Sequence, residues 1–325
     1  MEFGLFLMNV DFKAVRESAR AAEELGYHLV VFPDHIVNEG PQGYDPHGLA
    51  YDSILLAAAA AEATRTLRIG HVVLCNLFRH PAITAQALMS LDHLSGGRLL
   101  AGLGAGWTET EFRMTGIGFP DIGTRLRMLD EALTCIRSLW TQERTTFEGE
   151  FYRLNDAILW PKPIQQPHPP IIIGGSGRGA LRLMAKHADV ANIAVDTGKP
   201  AKLTFDGMGK ITDAAFSERA KFVRAEAARL GRDPKSIKIS NAVFSVMLAD
   251  SPAAAEASAR EIGKTFGIPA EEAPRSALFL IGTPQQCIEE LKRRAAEWGV
   301  GQFLFGSGGL EADRRLANEV LRHVG

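Results

Sequence analysis

The segment Leu91 to Phe112, LDHLSGGRLLAGLGAGWTETEF, decides how the rest of the chain is read. Its first residues finish a helix, Gly96-Gly97 turn the chain, and a short apolar strand starts at Arg98. A glycine-rich turn, Gly102-Leu103-Gly104-Ala105-Gly106, then opens toward Trp107. Glycines leave backbone N–H groups unshielded, so an anionic group can approach such a turn. The same alternating glycines also suit a neighbouring backbone packed closely against a strand end. Both readings stand at this point.

Working outward, the pattern of this segment recurs. Phe3 to Met8 is an apolar run, Asp11 is placed to cap a helix, and Phe12, Val15, Ala19, Ala22 and Leu25 follow at helical spacing up to Gly26. Tyr27 to Phe32 is continuously apolar, as in a strand buried on both faces. After a loop from Asp34 to Asp52, Asp52-Ser53 begins an alanine-rich helix to Thr64, and Leu67 to Leu74 reads as the third strand. His80 to Leu94 is the third helix, with Pro81 suited to its first turn, and Leu99 to Leu103 is the fourth strand.

Beyond Trp107 the regularity breaks. A short acidic helix spans Thr108 to Gly116, a longer one Arg125 to Trp140, and residues 145 to 154 alternate as a hairpin turning at Gly149. Strands then resume at Ile171-Ile172-Ile173, Asp189 to Val195, Ile237 to Ala249 and Gln302 to Phe305, each followed by a helical segment. Eight apolar strands alternating with helices predict an α/β fold, a closed (β/α)8 TIM barrel, in a single domain over residues 1–325 with insertions around 108–168 and 196–216. The first strand-to-helix turn lacks the dinucleotide fingerprint of an open doubly wound sheet.

Composition narrows the function class. The chain has 325 residues, 46% hydrophobic and 23% charged, with a net charge of -2, so no basic surplus invites nucleic acid or an acidic membrane surface. Cys75, Cys135 and Cys287 lack zinc-site spacing, and the expected setting is the reducing cytoplasm. The opening MEFGLFLMNVDF does not resemble a secretory signal, and the apolar run from Ile54 to Ala63 is too short to span a bilayer.

A barrel carries its active site at the C-terminal ends of its strands, and that rule sorts the candidates. Asp34-His35 ends the second strand and can position a proton carrier titrating near neutrality, against the alternative that Asp34 caps the loop over a packed His35. Cys75-Asn76 and His80 follow the third strand; with no legible base or nucleophile turn, Cys75 reads as pocket lining. His28 and His71 fall within strands and read as core or interface residues. No His, Asp and Glu trio has metal-ligand spacing, so no metal is expected. After the fifth strand, Gly174-Gly175-Ser176-Gly177-Arg178-Gly179 brings backbone N–H groups, the Ser176 hydroxyl, a helix start and Arg178 together, the chemistry of a phosphate cradle. With the first glycine-rich turn, this predicts a large phosphorylated cofactor.

Asp34-His35, His80-Pro81 through LDHLSGGR (91 to 98), GLGAGW followed by Glu111-Phe112, FEGEFY (147 to 152), PPIIIGGS (169 to 176) and LIGTP (280 to 284) together resemble the luciferase-like monooxygenase superfamily. Within it, they resemble the branch that uses the deazaflavin coenzyme F420. The resemblance implies a barrel with insertions and a homodimer. It also implies a ring seated on a bulge in the third strand, with a non-prolyl cis peptide near Val72-Val73. Cys75, Gly104, Ala105, Gly106, Trp107 and Thr108 map near the ring and ribityl chain, and Gly175, Ser176, Gly177 and Gly179 near the phosphate. Asp34 and His35 map to the polar pair beside the ring, His35 as proton donor or hydride-transfer stabiliser. Sugar-phosphate dehydrogenases of this branch carry a Glu where this chain has Ala105, which argues against glucose 6-phosphate as substrate.

The expected activity is hydride transfer between the deazaflavin C5 and a small organic substrate. The alternatives are an FMN-dependent monooxygenase and a non-catalytic flavin- or deazaflavin-binding protein. The alanine-rich second helix and the apolar third helix offer close-packing surfaces for a twofold partner.

Overall fold

The barrel strands are mostly apolar and largely buried on both faces. In the computed structural model, which describes residues 1–40, 42–194, 204, 205, 208 and 211–324, the barrel strands are β1 (Glu2–Phe6), β2 (Leu29–Phe32), β3 (Arg68–His71), β4 (Leu99–Gly104), β5 (Ile171–Gly175), β6 (Val190–Ile193), β7 (Lys238–Val243) and β8 (Val300–Gly306). All pair in parallel in that order, and β8 returns to β1 through Glu2↔Gln302 to Phe6↔Gly306, so the barrel closes. Side chains alternate between two cores. Leu29, Val31, Leu100, Ile172, Val190 and Leu304 fill the barrel interior, while Val30, Phe32, Leu99, Ala101, Ile171 and Ile173 pack outward beneath the helices.

The helices in chain order are α1 (Phe12–Leu25), α2 (Ser53–Ala63), α3 (Pro81–Leu94), α4 (Glu109–Thr115), α5 (Ile122–Thr141), α6 (Arg178–His187), α7 (Asp213–Arg229), α8 (Pro252–Phe266), α9 (Pro284–Trp298) and α10 (Leu310–Glu319). Their ends follow local chemistry. Asp11 accepts from the Ala14 N–H, Asp52 from Ile54 and Leu55, and Thr283 forms a reciprocal capping box with Gln286. Gly26, Gly267 and Gly299 end their helices with positive φ.

Three stretches depart from the expected pattern. The loop after β2 contains a two-stranded hairpin, Asn38–Gly40 with Gly43–Asp45. The seventh strand does not run to Ala249, because Ser245–Leu248 leaves the barrel and pairs with Phe279–Gly282 in a small parallel sheet. The 108–168 stretch is more than an excursion, since α5 packs against α3 and α6 and serves as a barrel helix. Most of the expected 196–216 insertion lies outside the described residues.

β3 is interrupted where the cofactor ring was expected. Gly70 pairs with Leu100 and Leu74 with Leu103, four residues against three, so one extra residue bulges from the strand. The bulge carries the cis peptide Val72-Val73.

Candidate active site

The strand ends and the loops beyond them enclose a cavity of about 1020 Å³. Its floor is made of small residues. Gly104 and Gly174 flank Val73, whose methyl carbons lie 2.4 and 3.1 Å from where their Cβ atoms would sit. The bulge valines therefore present a flat aliphatic surface to the cavity.

At one end, β5 turns through Gly175, Ser176 and Gly177 into α6. Gly177 is the N-cap residue and supplies no side-chain cap, and a Cβ there would meet nothing within 4 Å. The N–H groups of the first helical turn thus have no capping side chain. Gly179 packs onto Leu126 of α5, with Leu126 Cδ1 2.5 Å from the position of a Cβ. The neighbouring Arg125 is 5% exposed. Its guanidinium lies 3.7 Å over the Phe119 ring, and its Nε and Nη1 have no hydrogen-bond partner among the described residues. Burial holds its pKa below the usual arginine value. The orphaned Arg125 guanidinium and the uncapped start of α6 line the same cavity, and each is a group that an anion could satisfy.

At the end of β2, the two neighbouring polar residues part company. Asp34 is 6% exposed and fully engaged. Its Oδ2 accepts from the Cys75 N–H at 2.9 Å and from Arg79 Nη1 at 2.7 Å, and its Oδ1 accepts from Arg79 Nη2 at 3.2 Å. Arg79 also bridges to Asp52 at 2.7 Å. His35 faces the cavity, with its ring edge-on to Trp107 at 5.6 Å and its Nδ1 2.8 Å from Oε1 of Glu111. Glu111 is 2% exposed, and its Oε2 also accepts from the N–H groups of Ile36 at 2.5 Å and Val37 at 3.4 Å.

A model of the luciferase-like monooxygenase family matches residues 1–302. The chain belongs to the luciferase-like monooxygenase family. Among relatives of this family member, an FMNH2-dependent dimethylsulfone monooxygenase of Pseudomonas putida is 34% identical over 139 residues, 43% of this chain and 38% of its own. An F420-dependent glucose-6-phosphate dehydrogenase of Microbacterium testaceum is 36% identical over 204 residues, 62% of this chain and 57% of its own. Both alignments span less than two thirds of the relative. Two solved structures share the fold over the whole chain. An F420-dependent secondary alcohol dehydrogenase in complex with an F420-acetone adduct covers 100% of this chain and 99% of its own, with TM-score 0.79 at 21% identity. The EDTA monooxygenase of Chelativorans sp. BNC1 covers 100% and 93%, with TM-score 0.81 at 15%.

Within this luciferase-like barrel, the cavity brings together most of the residues singled out in the sequence: Asp34, His35, Val72, Val73, Cys75, Gly104, Ala105, Gly106, Trp107, Gly175, Ser176, Gly177 and Gly179 all line it. Burial pushes the Cys75 thiol up to about 12, which suits a lining residue and not a nucleophile.

Other expectations need correction. Thr108 is buried and is not among the residues lining the cavity; its hydroxyl donates to Glu39 of the hairpin at 2.5 Å. Gly102 and Gly104 belong to β4 and form no anion-binding turn. A Cβ on Gly102 would lie 1.7 Å from the His71 carbonyl oxygen, so close backbone packing explains it. Asp34 does not orient His35, since its carboxylate is spent on Arg79 and Cys75. Arg178 pairs with Glu218 at 3.2 Å and stacks on Phe222, which leaves Arg125 as the cradle's buried cation. His80 caps α3 through Nδ1, and Asn76 donates to Tyr152, so neither serves the cavity. His28 is exposed, its Nδ1 accepting from the Phe3 N–H, whereas His71 is core. Glu111 and Arg125 are the residues that sequence reasoning gave no role.

Proposed function

We propose that this chain is an F420-dependent oxidoreductase that moves a hydride between the deazaflavin and a small organic substrate. The observation that carries the reading is that the orphaned Arg125 guanidinium and the uncapped start of α6 line one cavity, which fits the phosphodiester of such a cofactor. Ser176, Gly177 and Arg125 would hold the phosphate, and Val72, Val73 and Cys75 would support the ring. When bound, the cofactor supplies a two-electron hydride carrier. His35 gives and takes the accompanying proton at the substrate, and Asp34 fixes Cys75 and the bulge beneath the ring through its bond to the Cys75 N–H. Ala105, which lines the cavity, supplies no second acid or base, so glucose 6-phosphate is not the proposed substrate.

A second reading, an FMN-dependent monooxygenase, draws on the 34% identity to the dimethylsulfone enzyme. Equilibrium dialysis against F420 and FMN separates the two. Tighter retention of F420 is expected, and equal or stronger retention of FMN would favour the monooxygenase.

A further inference from the structure

We infer that Glu111 is a positioning residue that fixes the tautomer of His35 and presents its Nε2 to the cavity as a proton acceptor. Hydrogen-bond valence fixes the assignment. Glu111 is buried on α4, and among the described residues its side-chain hydrogen bonds run to one short segment, His35 to Val37. Its Oε2 faces two backbone N–H groups and so can only accept. Its Oε1, as the other oxygen of a carboxylate, accepts as well, and the group opposite it is His35 Nδ1. A neutral imidazole has one N–H, and this arrangement places it on Nδ1. The lone pair is then left on Nε2, the ring nitrogen with no hydrogen-bond partner among the described residues, on a residue that lines the cavity. Trp107, edge-on to the ring, fixes its plane from a second side.

On the proposed hydride-transfer reading, a substrate carbon gives up its C–H bond with both electrons to the cofactor. The O–H or N–H on the neighbouring atom breaks, its electrons form the new double bond, and the proton goes to Nε2. In the reverse direction the imidazolium returns that proton. The carboxylate behind Nδ1 stabilises the imidazolium, the role a buried acid plays behind a catalytic histidine in a hydrolase triad. This deepening rests on the proposed function for the hydride step alone. The tautomer follows from the protein's own atoms.

Glu111→Gln gives a test with a definite sign. The side-chain carbonyl must stay toward the Ile36 and Val37 N–H groups, because turning the amide nitrogen there would oppose donor to donor in a buried place. The amide nitrogen then faces Nδ1, which must accept, and the proton moves to Nε2. The experiment is long-range 1H–15N correlation on the uniformly 15N-labelled, cofactor-free protein at a pH where the ring is neutral, with His35 identified by difference against His35→Asn. The expected result is an Nδ1–H tautomer in the parent and an Nε2–H tautomer in Glu111→Gln, with both proteins folded. An Nε2–H tautomer in the parent overturns the inference, as does an unchanged tautomer in a folded Glu111→Gln. If that variant does not fold, the parent spectrum alone decides. F420 affinity is measured separately on the same proteins, so a failure to bind F420 would count against the proposed function and leave the tautomer result standing. With F420 bound, the single-turnover rate of Glu111→Gln should fall about 10²- to 10⁴-fold at unchanged affinity.

Discussion

Replacing Arg125 with methionine should separate binding from stability, because the structure gives this side chain a cost in the empty protein and a use only with an anion present. The residue is 5% exposed with two guanidinium nitrogens unsatisfied, and leaving a buried donor unpaired costs about 1–3 kcal/mol. The contact with Phe119 at 3.7 Å offsets about 2 kcal/mol of that. Methionine removes the charge and keeps a sulfur against the ring, so the empty protein should be as stable as the parent to within about 1 kcal/mol. With the cofactor present, the lost charge-assisted bonds are worth about 1.5–3 kcal/mol, or about 10- to 150-fold in Kd. Arg294 is the control. It is fully buried but paired, bonding Glu290, Asn241 and the carbonyls of Ser276 and Phe279, so Arg294→Met should destabilise by about 3–5 kcal/mol. Thermal unfolding and F420 fluorescence titration of both variants give the four numbers needed. A large loss of stability in Arg125→Met with unchanged F420 affinity would refute the anion role.

Gly102→Ala should lower urea stability by more than about 3 kcal/mol, since its Cβ would meet the His71 carbonyl oxygen, whereas Gly177→Ala, with open space around it, should leave stability within about 0.5 kcal/mol. Burial lowers His71 from 6.5 to about 4, so the unfolded chain binds the extra proton between those values. The contribution of His71 is present above pH 6.5 and is lost, at up to about 1.4 kcal/mol per pH unit, as the pH falls toward 4. A His71→Gln protein whose urea midpoint declined as steeply over that range would contradict this. The proposed twofold dimer uses Leu55 on α2 and Ile83 on α3, which are 58% and 55% exposed; the double variant Leu55→Glu, Ile83→Glu should sediment as a monomer at concentrations where the parent is a dimer.

The barrel is legible in the sequence because a strand covered on both faces has no polar face to interrupt it. β2 and the start of β5 are therefore unbroken apolar runs, and most helices of the chain begin at Asp, Ser or Thr, with α1, α4, α8 and α9 ending at glycine. The Asn38–Asp45 hairpin escapes the same reading. Its strands are three residues long and contain Asn, Glu, Gly, Tyr and Asp, too few and too polar to show a period of two. The departure of Ser245–Leu248 from the barrel is equally silent, since a strand that changes sheets keeps its apolar composition and changes only its partner.

The site divides along a related line: residue types that face the cavity were legible, and the partners that set their state were not. His35 stands out by type and by its place at a strand end. Glu111 sits in the run TETEF beside Glu109, and only burial tells the two apart, since Glu109 is exposed. Its spacing from Thr108 even suggests a capping box, yet Thr108 makes no cap bond and the glutamate turns to the loop after β2. Arg125 did leave a trace in the sequence. A cation in the first turn of a helix opposes the helix dipole, and in α5 the nearest acid is the N-cap Asp121. The two glycine-rich stretches, by contrast, cannot be told apart by composition, because the absence of a side chain serves tight packing and ligand approach equally well. What distinguishes them is the destination of an added Cβ. At Gly102 it meets a backbone carbonyl, and at Gly177 it meets open space at the start of a helix, so only the second can admit a phosphate.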